Sequence, residues 1–144
     1  MIIAIDGPAG TGKSTIAGII AKKLGVVYLN SGSFYRALTL ALLNAKIDLS
    51  EAKDENQIVD FCKKQQLEYK NSHVILNGTD VEGSLHDDIV SANVAQVSSI
   101  VALRHLVNER MNEITKSLSI VCEGRDMTTV VFPGAEYKFY LDAS

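Results

Sequence analysis

The chain opens on an unbroken apolar run, "MIIAI", which predicts a short buried strand. The following "STIAGIIAKKLG" spaces Ile16, Ile19, Ile20 and Leu24 along one face of a helix, and Gly25 is its stop. "VVYLN" predicts a second strand. "SGSFYRALTLALLNA", with Ser31 and Gly32 at its start, predicts a second helix. Strand, helix, strand, helix implies parallel strands joined by right-handed crossovers, with ligands bound where the strands end. "DENQIVDFCKKQQ" then places Ile58, Phe61 and Cys62 on a short amphipathic helix with Asp54 as its cap.

The pattern changes after that. "LEYKNSHVILNGTDVEG" alternates apolar and polar positions around an Asn77-Gly78 pair and predicts two or three short antiparallel strands joined by tight turns. From Asp87 to about Ser117 there is neither glycine nor proline. Ile89, Val94, Val97, Val101, Leu106, Val107 and Ile114 recur there at helical spacing, which fits one long helix or two consecutive ones. "SIVCEG" and "YKFYL" return as buried strands, the first ending at Glu123 and the second just before Asp142. No internal repeat or low-complexity segment interrupts this order. The fold class is therefore α/β in three layers, with residues 1–30 and 119–144 forming a parallel core. An antiparallel insert with helices occupies about 31–118.

Composition narrows the function classes. A chain of 144 residues suits one domain with a real core. Its formal charge of −3 argues against a broad nucleic-acid-binding face, so basic residues are weighed singly. Cys62 and Cys122 lack metal-ligand spacing, and Cys122 lies in the apolar "SIVC" run, where a small buried side chain is expected. The first apolar run passes straight into a glycine loop rather than a cleavage site, and "ALTLALLNA" is too short to span a bilayer. A reduced, cytoplasmic monomer without membrane or nucleic-acid partners is the expectation.

The chemistry begins with "IDGPAGTGKST". Gly7, Gly12, Lys13 and Ser14 fit G-x-x-x-x-G-K-[ST], with Gly10 as an extra glycine. Such a loop turns backbone N–H groups inward around a phosphate, and the next helix adds its unpaired N-terminal donors. Gly7, Pro8, Ala9, Gly10, Thr11, Gly12, Lys13, Ser14 and Thr15 are thus the expected ATP cradle, with Lys13 on the β- and γ-phosphates and the Ser14 hydroxyl on Mg²⁺. A dinucleotide fingerprint starting at Gly10 would need glycine where Thr15 stands.

Phosphoryl transfer asks mainly for positioning and positive charge. Arg36 in "SGSFYR" and Arg125 in "EGRD" both follow strand ends, and an arginine fork pairs well with phosphate. Glu123 ends an apolar strand where loops of this kind place the acid that orients Mg²⁺. Asp6 stands ready to do the same or to hold the loop by hydrogen bonds, and either acid also suits a helix cap. By pattern alone Arg104 is a solvated charge on a helix face, and His73, His86 and His105 lack metal spacing.

With these residues in place, the sequence resembles the bacterial cytidylate kinases, P-loop enzymes that phosphorylate CMP and dCMP with ATP. The resemblance rests on "IAIDGPAGTGKST", "LNSGSFYRALTLALL", "ILNGTDVEGSL", "CEGRDMTTVVFPGAEYKFYLDAS" and, more loosely, "SSIVALRHLV", together nearly the whole chain. It implies that the insert closes on CMP and that Ser31, Arg104 and Asp126 help recognise the nucleoside. It also implies that Arg36 and Arg125 bind the CMP phosphate, with Lys13, Arg36, Arg125 and Asp126 as the catalytic set. Ala95 departs from a common serine, His86 from an arginine, Thr128 from a glycine after "RDM", and Met111-Asn112 from Gln-Arg. Loss of the serine hydroxyl would relax selectivity among pyrimidines.

The resemblance further implies an arginine-rich lid helix, a strand and a closing helix after "LDAS", a region that this sequence does not contain. Without a lid to supply arginines and exclude water, nucleotide binding is expected to exceed turnover, with apolar core surface left uncovered. The competing readings are a UMP, AMP or shikimate kinase, a truncated binding module, and a nucleotide switch. "DVEG" at Asp80–Gly83 matches the switch pattern D-x-x-G, but no guanine-reading N-K-x-D accompanies it, since "NAKID" has an extra residue.

Overall fold

The computed structural model describes residues 1–8, 10–49 and 55–142. These divide into two compact units, residues 1–31 with 111–144 and residues 32–110. Asp54, the expected cap, and Ala9 of the glycine loop lie outside the described residues.

The first unit is built on a four-stranded sheet in the order β2-β6-β1-β7, from β1 (Ile2–Asp6), β2 (Val27–Asn30), β6 (Ile120–Gly124) and β7 (Tyr137–Tyr140). Every pairing is parallel, with Ile2 opposite Ile120, Val27 opposite Ile120 and Ile3 opposite Tyr137. Parallel neighbours need crossovers, and helix α1 (Lys13–Leu24) supplies the first of them. Its buried face is only in part the expected one. Ala17 and Ala21 are buried with Ile3, Ile5 and Val121, while Ile16, Ile19 and Leu24 are exposed. Small residues one turn apart let the helix backbone sit close on the sheet, and of the expected isoleucines Ile20 packs, partly buried, against this core. Gly25, at φ 67, ends the helix as expected.

β7 departs further from expectation. All four of its residues are exposed, Tyr137, Phe139 and Tyr140 by half or more, whereas the other edge strand, β2, is part-buried with Leu29 fully covered. Hydrophobicity identified it as a strand, but a residue's burial depends on what lies across each face.

The second unit holds most of α2 (Ser31–Asn44), then α3 (Glu55–Lys63), a three-stranded antiparallel sheet of β3 (Leu67–Lys70), β4 (His73–Leu76) and β5 (Thr79–Asp80), and helices α4 (Asp88–Ser98) and α5 (Val101–Thr115), the last running on past the unit. Both hairpin turns, Asn71-Ser72 and Asn77-Gly78, have positive φ at both central residues, the primed geometry that matches the strand twist. Leu67, Tyr69, Val74 and Leu76 point inward, and the Tyr69 ring meets Phe34 of α2 with centroids 5.9 Å apart.

The glycine-free stretch forms two helices, bent by 102°. The Ser98 and Ser99 hydroxyls donate to the carbonyls of Ala95 and Gln96, 3.1 and 2.7 Å away, and Ile100 N donates to the Val97 carbonyl at 3.2 Å, a tightened last turn at the end of α4. The buried positions are Val90, Val97, Ile100, Leu103, Leu106, Val107, Met111 and Thr115, whereas Ile89 and Val101, expected inside, are exposed. In α3, Ile58, Val59 and Cys62 are buried and Phe61 is only half-buried. No single helix among the described residues is long and apolar enough to cross a membrane.

Candidate functional site

The glycine loop leaves β1 at Asp6 and enters α1 at Lys13. Gly10 and Gly12 have φ of 80 and 85, a left-handed conformation that side chains resist, and the Gly12 carbonyl accepts the first helical hydrogen bond from Ile16 N at 3.0 Å. Gly7 is required for a different reason. A Cβ there would run into the Leu141 carbonyl oxygen, and Leu141 N donates to the Asp6 carbonyl at 2.8 Å. The start of the loop is thereby fastened against the end of β7. Within the loop, Lys13 Nζ and Thr11 Oγ1 donate to the Pro8 carbonyl at 3.0 and 2.8 Å, while Ser14 and Thr15 are exposed on the first turn of α1.

Glu123, near the end of β6, lies opposite Ile5 and Asn30 in the sheet. It is half-buried, and the Tyr28 hydroxyl donates to its Oε1 at 2.9 Å. Arg125 and Asp126 follow, both exposed, with Asp126 at φ 61. A cleft of about 410 Å³ is lined by Gly7, Pro8, Arg125, Asp126, Thr128 and Tyr140, among others. The structure thus brings the glycine loop together with two of the predicted acceptor residues inside one unit. Tyr140 was not anticipated, although its place at the carboxyl end of a parallel strand is where such sites form.

The other predicted residues are placed separately. Ser31 is the first residue of α2, and Arg36 lies one and a half turns on. Arg36 Nη1 donates to the Leu85 carbonyl at 3.0 Å and to Ser91 Oγ at 2.9 Å, which orients the guanidinium. Arg104 is exposed on α5. Tyr35 has its hydroxyl pushed above its usual 10 by burial, and the Arg104 charge partly opposes that shift, so the arginine stands near the "SGSFYR" helix.

Among the described residues no three His, Cys, Asp or Glu side chains gather as a metal cage. A Mg²⁺ bound with nucleotide needs only one or two protein oxygens beside phosphate and water. The exposed Ser14 hydroxyl and the Glu123 carboxylate fit that need. Asp6 does not, because both its oxygens are engaged by Met127 and Thr128. The thiols fit no catalytic role, since burial pushes Cys62 and Cys122 up to about 12, the latter with help from the charges of Asp6 and Glu123. His73 pairs with Asp80, Nδ1 to Oδ2 at 2.7 Å, on the small sheet.

The family model described as "Cytidylate kinase" matches residues 3–144. The chain belongs to the cytidylate kinase family. It is 42% identical over 142 residues to the cytidylate kinase of Caldanaerobacter subterraneus subsp. tengcongensis, covering 99% of this chain and 62% of that protein. Identity is 38% to cytidylate kinase 1 of Borreliella afzelii, covering 100% of this chain and 66% of the relative. It is also 38% to the cytidylate kinase of Clostridium botulinum strain Loch Maree, covering 99% and 64%. The chain therefore spans less than two thirds of the length of these cytidylate kinases.

Proposed function

We propose that this chain carries the donor and acceptor sites of an ATP-dependent CMP/dCMP kinase. The observation that carries the reading is the cleft in which the glycine loop and the Arg125-Asp126 pair share walls. The core unit binds ATP and the 32–110 unit contributes to the acceptor. In the cradle, loop N–H groups and Lys13 hold the donor phosphates. Ser14 and Glu123 hold or orient Mg²⁺, which shields the phosphate charge when bound.

Arg36 and Arg125 take the CMP phosphate, and Ser31, Arg104 and Asp126 address the nucleoside. An oxygen of the CMP phosphate attacks the γ-phosphorus of ATP in line, the bond to the β–γ bridging oxygen breaks, and CDP and ADP result. That acceptor oxygen is already anionic at neutral pH, so no strong general base is needed. Arginine suits the task because it stays charged and pairs with two phosphate oxygens at once. Phosphorylated substrates and free thiols support a cytoplasmic setting.

The test is CDP formation from Mg·ATP with CMP, dCMP, UMP, AMP, shikimate or no acceptor. Formation of CDP and dCDP above the other products is expected. Preferential phosphorylation of AMP or shikimate would overturn the acceptor assignment, and CMP binding without turnover would reduce the proposal to a binding module.

A further inference from the structure

Asp6 is 7% exposed and lies on the wall of the cleft, beside Gly7. Its Oδ1 accepts from Met127 N at 2.7 Å, and its Oδ2 accepts from Thr128 N at 2.9 Å and from Thr128 Oγ1 at 2.6 Å. Its backbone lies opposite Gly124 in the parallel sheet, and its carbonyl accepts from Leu141. Arg125 and Asp126 are thus the two residues between points that Asp6 holds at both ends, and Gly7 of the phosphate loop is its next neighbour in sequence. The turn they enter is an unusual one. Asp126 adopts φ 61, and its carbonyl accepts from both Val130 N at 2.9 Å and Val131 N at 3.0 Å, opening a π-helical turn over Met127–Val131. Such turns recur at functional sites, and a left-handed non-glycine residue persists only where its surroundings fix it.

We propose that Asp6 and Thr128 form a positioning clamp that sets Arg125 and Asp126 against the phosphate loop, so that one carboxylate fixes acceptor-binding groups relative to the donor cradle. This rests on the acceptor reading above. The Thr128 hydroxyl is the separable part, since the second hydrogen bond from this residue to Asp6 Oδ2 is donated by the backbone N–H. Asp6→Asn replaces one acceptor oxygen with an NH₂ that faces donors, which breaks the clamp at nearly constant size.

Calorimetric titration of CMP and of ADP into the 144-residue chain tests this. Asp6→Asn should weaken CMP binding by about tenfold or more and leave ADP binding within about twofold. Thr128→Val should weaken CMP by about threefold to tenfold, with recovery in Thr128→Ser. If Asp6→Asn does not fold, the Thr128 pair decides alone. Unchanged CMP affinity in the variants, or parallel loss of CMP and ADP, would overturn the clamp while leaving the acceptor reading standing. Failure of the unsubstituted chain to bind CMP would overturn both, and is distinguishable because it precedes any substitution.

Discussion

The two sheets of this protein solve opposite problems. The parallel sheet joins strands distant in sequence, Ile2 with Ile120 and Ile3 with Tyr137, and the segments that leave β1 and β6 line a cleft, with Gly7 packed too closely on Leu141 to admit a side chain. The antiparallel sheet joins strands two residues apart through Asn71-Ser72 and Asn77-Gly78, with an exposed His73–Asp80 pair across β4 and β5. The first arrangement gathers chemistry from remote segments at one edge. The second is a local meander whose parts depend mainly on their neighbours. Substitutions should therefore have coupled effects on stability and nucleotide binding in the core, and contained effects in the small sheet.

The strongest break in the comparison is expected at Gly7. Gly7→Ala drives a methyl group into the Leu141 carbonyl and should cost about 3 kcal/mol in urea unfolding, with loss of ADP binding. Arg125→Ala and Arg36→Ala should each lower CMP affinity by about 10- to 100-fold, the worth of a charged hydrogen bond, while ADP titrations stay within about twofold. Gly78→Ala forces a side chain into φ 84 and should cost about 1 kcal/mol without moving ADP affinity. A linked loss of ADP binding there would contradict the independence of the small sheet.

The smallest effect is one of pH. The Asp80 hydrogen bond raises His73 above its usual 6.5, so the pair's contribution from His73 is full below 6.5 and fades as pH rises through the raised value. Asp80 is lowered from its usual 3.8, chiefly by its bond to His73, so its contribution is present above 3.8 and fades as pH falls through the lowered value. Protection of the hairpin amides in hydrogen exchange should peak between about pH 4 and 6.5 and decline toward pH 8, and His73→Gln should flatten the decline. Both side chains are open to solvent, so the change is modest.

Much of this architecture is legible in the residue pattern because local signals agree with the global fold. "MIIAI", the glycine loop and Gly25 mark a strand, cradle and helix stop that the structure keeps, and Asn77-Gly78 marks a real hairpin. Misreadings came where burial depends on a distant partner. Periodicity favoured Ile16 and Ile19 on α1, whereas close approach to the sheet selected Ala17 and Ala21. Apolar composition places "YKFYL" inside, whereas Tyr137–Tyr140 are exposed and only Leu141 packs against the core. The bend of 102° between α4 and α5 falls in a run whose apolar spacing continues across it, with no glycine or proline to mark the break. Among the chemical groups, Lys13 stands out from the glycine-loop motif and Arg125 from its place after a strand, whereas Asp126 enters only through the family resemblance. The bonds between Asp6 and Thr128, 122 residues apart, exist only once β1 and β6 are paired.

The most direct test of the account is hydrogen–deuterium exchange of the chain with ADP, with CMP and with neither. ADP is predicted to slow exchange at Gly10–Thr15, and CMP at Arg125–Thr128 and around Arg36. Protection by CMP at the glycine loop alone, or no protection by CMP anywhere, would contradict the division of donor and acceptor roles on which the proposed function stands.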